Sequence, residues 1–175
     1  MDIISELNGK RILIWGYGRE GKATEHFLQR CVKPASVDIF EGKKEEIDED
    51  DYDFIIKSPG IVMNEENPKY TSETELFLQQ FRDQVIGITG TKGKSTTSAM
   101  LYTVLKACSS RPVLLLGNIG QPCLDYFEEV TEDTIIVYEM SCHQLAHTNV
   151  SPHIAIFLNL YEEHLDYYGT GEKYF

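Results

Sequence analysis

The sequence predicts an α/β protein: a Rossmann-like parallel-sheet domain over residues 1–82, followed by a P-loop domain over residues 83–175. Three observations predict it. Short apolar runs of strand length alternate with helix-period segments along the chain, the pattern of βαβ units and a parallel sheet. A G-x-G-x-x-G stretch, Gly16-Tyr17-Gly18-Arg19-Glu20-Gly21, directly follows the first such run. A second glycine-rich stretch runs from Gly87 to Gly93-Lys94-Ser95-Thr96, after apolar Val85-Ile86 and before a helical segment.

Ile12-Leu13-Ile14-Trp15 reads as a strand buried on both faces. From Lys22, the residues Ala23, Phe27, Leu28 and Cys31 recur at helical spacing until Lys33-Pro34 stops the helix. A second strand fits Val37 to Phe40, and Asp38 falls near the position where a dinucleotide fold keeps its ribose carboxylate. Acidic Glu41 to Asp53 reads as a solvated loop or exposed helix. Phe54-Ile55-Ile56 is a further buried strand that ends in the turn Ser58-Pro59-Gly60, and Asn64 to Pro68 is a polar break. Glu75 to Phe81 suggests a short amphipathic helix, and Arg82-Asp83-Gln84 marks the domain boundary.

In the second half, Met100, Leu101, Val104, Leu105 and Cys108 are expected on one helix face. Val113 to Leu116 is a strand leading into the turn Gly117-Asn118-Ile119-Gly120, and Cys123 to Val130 is expected to be helical. Ile135 to Tyr138 is a buried strand ending at Glu139, and Ile154 to Leu158 another, leading to Asn159 and His164.

The bulk numbers limit what such a fold binds. A formal net charge of −12 over 175 residues disfavours nucleic acid and acidic membrane surfaces as partners. Small phosphate esters remain compatible, because backbone amides and one or two lysines bind them locally. The four cysteines form no C-x-x-C pair, so they read as reduced thiols of a cytoplasmic protein. Neither a signal peptide nor a membrane-length apolar run is recognisable. Oligomeric state is left open.

The chemistry concentrates at the second glycine stretch. A loop leaving a strand and entering a helix at Lys-Ser turns its N–H groups into one concavity, backed by the helix dipole. Gly90, Thr91, Lys92, Gly93, Lys94, Ser95 and Thr96 are therefore candidates for binding the phosphates of ATP, with Lys94 on the outer phosphates and the Ser95 hydroxyl on Mg²⁺. The match departs from the usual P-loop spacing, since Ile88 stands five residues before Gly93 and the glycine is at Gly90. Parallel strands bring their carboxyl ends to one edge, so the loop, the Gly117–Gly120 turn, Glu139 and the His164 loop are expected around one crevice. Glu139 stands where P-loop proteins hold a metal-binding carboxylate; a solvated strand end is the plainer alternative. A Cys142 nucleophile beside His143 is disfavoured, because neighbours in an extended strand face opposite ways.

Together these residues resemble the Mur ligases of peptidoglycan synthesis. Thr89 to Thr96 is similar to the family's T-G-T-x-G-K-[ST]-T, Gly117 to Gly120 to its G-N-I-G, and Glu139 to Leu145 to E-L-S-S-F-Q-L. Asn159 to Asp166 is similar to N-V-T-E-D-H-M-D, and Ser58-Pro59-Gly60-Ile61 to S-P-G-I. The resemblance implies an ATP-dependent ligase of the branch that adds D-glutamate to UDP-N-acetylmuramoyl-L-alanine through an acyl phosphate. It implies catalytic roles for Lys94, Glu139 and His164, with Mg²⁺ held by Ser95 and Glu139 and a second ion by His164. It also implies that Gly16, Gly18, Arg19, Glu20, Gly21, Ser58, Pro59, Gly60, Asn118 and Ser141 bind the uridine-nucleotide substrate. Cys142-His143 departs from the family's Ser-Phe. Family members continue past the point matching Phe175 with the rest of the ATPase domain, including a carbamylated lysine, and then an amino-acid-binding domain, so the resemblance implies that the P-loop domain over residues 83–175 is incomplete and the chain a fragment unable to ligate alone. Two other readings stay open: a nicotinamide-dependent oxidoreductase built on Gly16–Gly21 and Asp38, and a non-catalytic nucleotide-binding module.

Overall fold

The computed structural model describes residues 2–62, 67–146, 148–161, 163 and 170. Its first sheet contains β1 (Arg11–Trp15), β2 (Ser36–Phe40), β3 (Phe54–Lys57) and β4 (Tyr70–Thr71), ordered β2-β1-β3-β4 and all parallel. Its second contains β5 (Val85–Thr89), β6 (Val113–Gly117), β7 (Ile135–Glu139) and β8 (Ile154–Phe157), ordered β6-β7-β5-β8 and again all parallel. Parallel pairing puts the functional turns at the carboxyl edge of each sheet.

The βαβ unit forms as the periodicity predicts. Helix α2 (Arg19–Cys31) buries Ala23, Phe27 and Leu28, and Val32 N–H closes its last turn on Leu28 O. An unpredicted helix, α1 (Ile3–Leu7), precedes it. Asp2 caps α1 by accepting from Ile4 N, and Ile3 and Leu7 are fully buried. Five residues are too few to show a helical period. Helix α3 (Glu73–Phe81) occupies the expected amphipathic segment, yet it buries Glu73, Thr74 and Glu75 as well as Leu76, Phe77 and Leu78. It lies between the sheets. Rings in contact link α2, α3 and the 3-10 turn at Leu124–Glu129, with centroid separations of 4.7 Å for Phe27–Phe127, 4.9 Å for Phe81–Phe127 and 5.8 Å for Phe77–Tyr138. One apolar core therefore runs from Ile12 and Ile14 of the first sheet to Val85, Ile136 and Tyr138 of the second.

The helix expected at Cys123–Val130 forms as a 3-10 helix over Leu124–Glu129. Three expectations are corrected. Helix α4 (Lys94–Cys108) packs Leu101 and Leu105 against the sheet, whereas Met100 and Val104 are 64% and 57% exposed, on a stripe turned away from it. Strand β8 is an edge strand, with Ile154 47% and Phe157 61% exposed, not a buried one. Cys142 and His143 belong to a short helix, α5 (Cys142–Leu145), and not to an extended strand. Its cause is a capping box: Ser141 accepts from Gln144 N, while Gln144 Oε1 accepts from Ser141 N.

Candidate active site between the two sheets

The phosphate loop leaves β5 at Thr89 and enters α4 at Lys94. Gly93 caps the helix at φ +86°, a left-handed conformation that glycine adopts without a Cβ penalty. The first N–H groups of α4 have no partner within the helix and lie at its positive end, so the loop mouth attracts anions. Lys94 Nζ reaches back over it, donating to Gly90 O at 2.6 Å and Thr91 O at 3.1 Å. The amides of Thr91 and Lys92 instead donate to Asn159, at 3.0 Å to its main-chain oxygen and 2.9 Å to Oδ1. The receptive amides are thus those at the helix start, a narrower set than the whole loop. Ser95 and Thr96 are exposed there.

Glu139 ends β7 in register with Ile88 of β5, two residues before Gly90. Its side chain is fully buried. Oε1 accepts from Asn118 Nδ2 at 2.8 Å, and Oε2 is sealed from solvent with no partner. A buried carboxylate oxygen left without a donor is costly, and such an oxygen suits a hard cation such as Mg²⁺. Among the described residues no group of three or more His, Cys, Asp or Glu converges. His164 lies outside the described residues.

The Gly117–Gly120 turn holds Asn118 in place. Asn118 N donates to Glu139 O at 3.0 Å and Gly117 N to Gln121 O at 2.9 Å. Gly117 sits at φ +101°, and a Cβ there would come within 2.3 Å of both Glu139 O and the Tyr138 ring. Gly117→Ala is expected to destabilise the chain by about 3 kcal/mol through backbone strain and overpacking, lowering Tm by roughly 6–12 °C. Thermal melts measure this directly.

A cavity of about 290 Å³ opens between the sheets. Gly18, Arg19, Glu20, Ser58 and Pro59 line it from the first sheet, and Gly117, Asn118, Tyr138 and Gln144 from the second. Arg19 Nη2 donates to Gly120 O at 2.8 Å, and Gln144 Nε2 to Glu20 Oε1 at 2.8 Å, so both glycine turns are tied across the gap. Gly16, Gly21, Gly60 and Ser141 are not part of this lining. Gly16 O accepts from Ser58 Oγ at 3.0 Å, and the Ser141 hydroxyl is engaged in the α5 cap. Asp38 is mid-strand, paired with Leu13 two residues short of the Trp15–Phe40 rim, and so misplaced for a ribose. A second cavity, about 540 Å³, is lined by Lys57, Tyr70, Thr71, Glu75 and Asn149. Neither cavity is lined by a residue of the phosphate loop or by Glu139, so the single crevice expected around them is not formed as one cavity; Asn118, which holds Glu139, is the link to the first.

Two carboxyls form the floor of the crevice. Glu73 is 2% exposed, and its Oε1 accepts from Leu124 N at 2.8 Å. Burial, reinforced by the Glu20 charge, pushes the Glu73 carboxyl well above its usual value. Burial also raises Glu20, opposed by the Gln144 hydrogen bond and by the charges of Lys57 and Arg19. Lys57 is lowered by burial to about 8, with the Glu20 charge opposing that shift. The signs give a pH prediction. A carboxyl raised on folding stabilises fully below its unfolded value of 4.5 and loses that contribution as pH rises through its folded value. The depressed Lys57 acts oppositely, and only between about 8 and 10.5. Urea melts of the wild type are expected to show stability falling from pH 5 to 7.5, and Glu73→Gln to flatten that slope; an equal slope in the variant would assign the loss to other groups.

A parallel α/β sheet with a strand–glycine loop–helix and a strand-end carboxylate one strand over defines the class of P-loop proteins, here joined to a second parallel sheet. More specifically, the chain belongs to the Mur ligase family: residues 88–175 match the Mur ligase middle domain. It is similar to the UDP-N-acetylmuramoyl-L-alanine–L-glutamate ligase of Xanthomonas euvesicatoria pv. vesicatoria, 32% identical over 207 residues, covering 98% of this chain and 44% of that protein. It is also similar to the UDP-N-acetylmuramoylalanine–D-glutamate ligase of Clostridium kluyveri, 36% identical over 155 residues, covering 84% of this chain and 34% of that protein. The chain thus spans less than half the length of these relatives. The fold matches that of the UDP-N-acetylmuramate:L-alanyl-gamma-D-glutamyl-meso-diaminopimelate ligase from Neisseria meningitides, with a TM-score of 0.50 at 16% identity over 94% of this chain and 65% of that one.

Sequence reasoning missed Glu73, Gln144 and the grip of Asn159 on the loop. Glu73 at a helix start reads as a solvated charge favourable to the dipole. For Gln144 a signal existed, the S-x-x-Q spacing of a capping box. Nothing local announces Asn159, whose partners lie 67 residues away.

Proposed function

We propose that the chain provides the nucleotide-handling part of a ligase that joins glutamate to UDP-N-acetylmuramoyl-L-alanine at the expense of ATP. The observation that carries this reading is the unpartnered Glu139 Oε2 beside a phosphate-loop strand, its carboxylate held by Asn118, which lines a crevice walled on its other side by a second glycine loop. The amides of Gly93 to Thr96 and the Lys94 ammonium bind and orient the triphosphate. Ser95 and Glu139 would hold Mg²⁺, which when bound neutralises phosphate charge. Asn118 fixes the Glu139 carboxylate. Gly18, Arg19, Glu20, Ser58 and Pro59 face the uridine nucleotide, and His164 remains a candidate second metal ligand on the family resemblance alone.

The proposed reaction runs in two steps. A substrate carboxylate oxygen attacks the γ-phosphorus of ATP, ADP departs, and an acyl phosphate forms. The amine of the amino acid then attacks the acyl carbon; it loses a proton, phosphate leaves, and the amide remains. The helix-start amides and Lys94 serve the first step by stabilising charge on the transferring group.

The division into residues 1–82 and 83–175 fits the break between the two sheets. A cytoplasmic setting fits the four free cysteines; among the described residues no helix is long and apolar enough to cross a membrane. The names of the relatives include both glutamate enantiomers, so L-glutamate stands beside D-glutamate as the amino acid joined. Calorimetric titration tests the substrate reading. UDP-N-acetylmuramoyl-L-alanine is expected to bind and NADH not to; the reverse would favour an oxidoreductase.

A further inference from the structure

We infer that Asn159 is a positioning residue that clamps the phosphate loop, fixing the Thr91–Lys92 peptide so that the helix-start amides and Lys94 face the phosphates. The inference rests on the ATP reading for its consequence and on geometry alone for the clamp.

Strand β8 runs parallel to β5, and the pairing continues past both strand ends: Leu158 N donates to Thr89 O at 3.0 Å. Asn159 is therefore delivered beside the loop as the loop leaves β5. Its main-chain oxygen accepts from Thr91 N at 3.0 Å. Its side chain then grips Lys92 from both sides, with Oδ1 accepting from Lys92 N at 2.9 Å and Nδ2 donating to Lys92 O at 2.9 Å. A primary amide supplies one donor and one acceptor in the spacing of a peptide group. Aspartate lacks the donor, and alanine lacks both.

The next residues extend the grip. Tyr161 N donates to Thr91 Oγ1 at 2.9 Å, and Thr91 Oγ1 donates to Tyr161 O at 3.2 Å. Lys92 also pairs with Glu163. The approach is close: a Cβ added at Gly90 would lie 3.1 Å from both Asn159 N and Asn159 O. The loop's shape is thus held by a strap from the adjacent edge strand, whereas a Thr91–Lys92 peptide free to rotate would present a carbonyl oxygen to the phosphates. Preorganised donors need no reorganisation when charge arrives.

The test uses the whole chain with Asn159→Ala and Asn159→Asp. Hydrogen exchange is read at the Thr91 and Lys92 amides, and affinities are read for Mg·ATP and, as a control, uridine diphosphate. Asn159→Ala is expected to speed exchange at Lys92 at least tenfold and weaken Mg·ATP about tenfold, with uridine diphosphate unchanged. Asn159→Asp, which keeps the acceptor, is expected to retain more of the Lys92 protection, and it carries the test if the alanine variant fails to fold. Unchanged exchange at Lys92 overturns the clamp. Faster exchange with wild-type Mg·ATP affinity overturns its positioning role. A wild-type chain that binds no Mg·ATP refutes the ATP reading and with it the role in phosphate binding, while the exchange arm still decides the clamp.

Discussion

Lys94→Ala is expected to weaken Mg·ATP binding about 100-fold while moving Tm by no more than about 2 °C. The Lys94 ammonium now donates to two uncharged carbonyls of its own loop. Hydrogen bonds to charged groups contribute about 1.5–3 kcal/mol each, so two such bonds to a polyphosphate amount to about 3 kcal/mol, or about 100-fold. In the free chain the loss is small, because the half-buried side chain leaves loop carbonyls that water reaches. Calorimetry at fixed Mg²⁺ measures the effect, and a folded variant with wild-type affinity removes Lys94 from the phosphate site.

Glu139→Gln is expected to move stability and binding in opposite directions. The variant's Oε1 still accepts from Asn118, so the bond seen at 2.8 Å survives. The unpartnered oxygen becomes a neutral amide, relieving a buried charge. Stability should therefore rise by about 1 kcal/mol. The hard anionic ligand for Mg²⁺ is lost at the same time. The gain in ATP affinity on adding Mg²⁺ should fall about tenfold, with metal-free ATP affinity unchanged, as when a functional site holds strain that stability alone would remove. Titrations with and without Mg²⁺ separate this from a general loss of binding, and a retained Mg²⁺ effect would remove Glu139 from the metal site.

The parts of this account that were legible in the sequence are those whose chemistry is local. Glycines followed by Lys94 and Ser95 state a strand–loop–helix turn in ten residues, and Glu139 shows its place by ending an apolar strand. What the sequence hid is set by distance. Nothing local shows that Glu73 is buried or that Glu20 is held beside Gln144, because only the meeting of the two sheets around α3 brings this about. Met100 and Val104 read as core because the helix period says which residues share a face but not which neighbour that face meets. Asp38 read as a ribose ligand by its spacing from the glycine loop, and strand register places it short of the rim.

One measurement bears most directly on the claim that both sheets present their binding groups to a single rim: a crystal structure of the chain with Mg²⁺, a non-hydrolysable ATP analogue and a uridine diphosphate sugar. The γ-phosphate is expected against Lys94 and the amides of Gly93 to Thr96, the metal between Ser95 and Glu139 Oε2, and the uridine diphosphate beside Arg19 and Ser58. A triphosphate seated away from Lys94, or a metal that leaves Glu139 Oε2 without a partner, would contradict that claim.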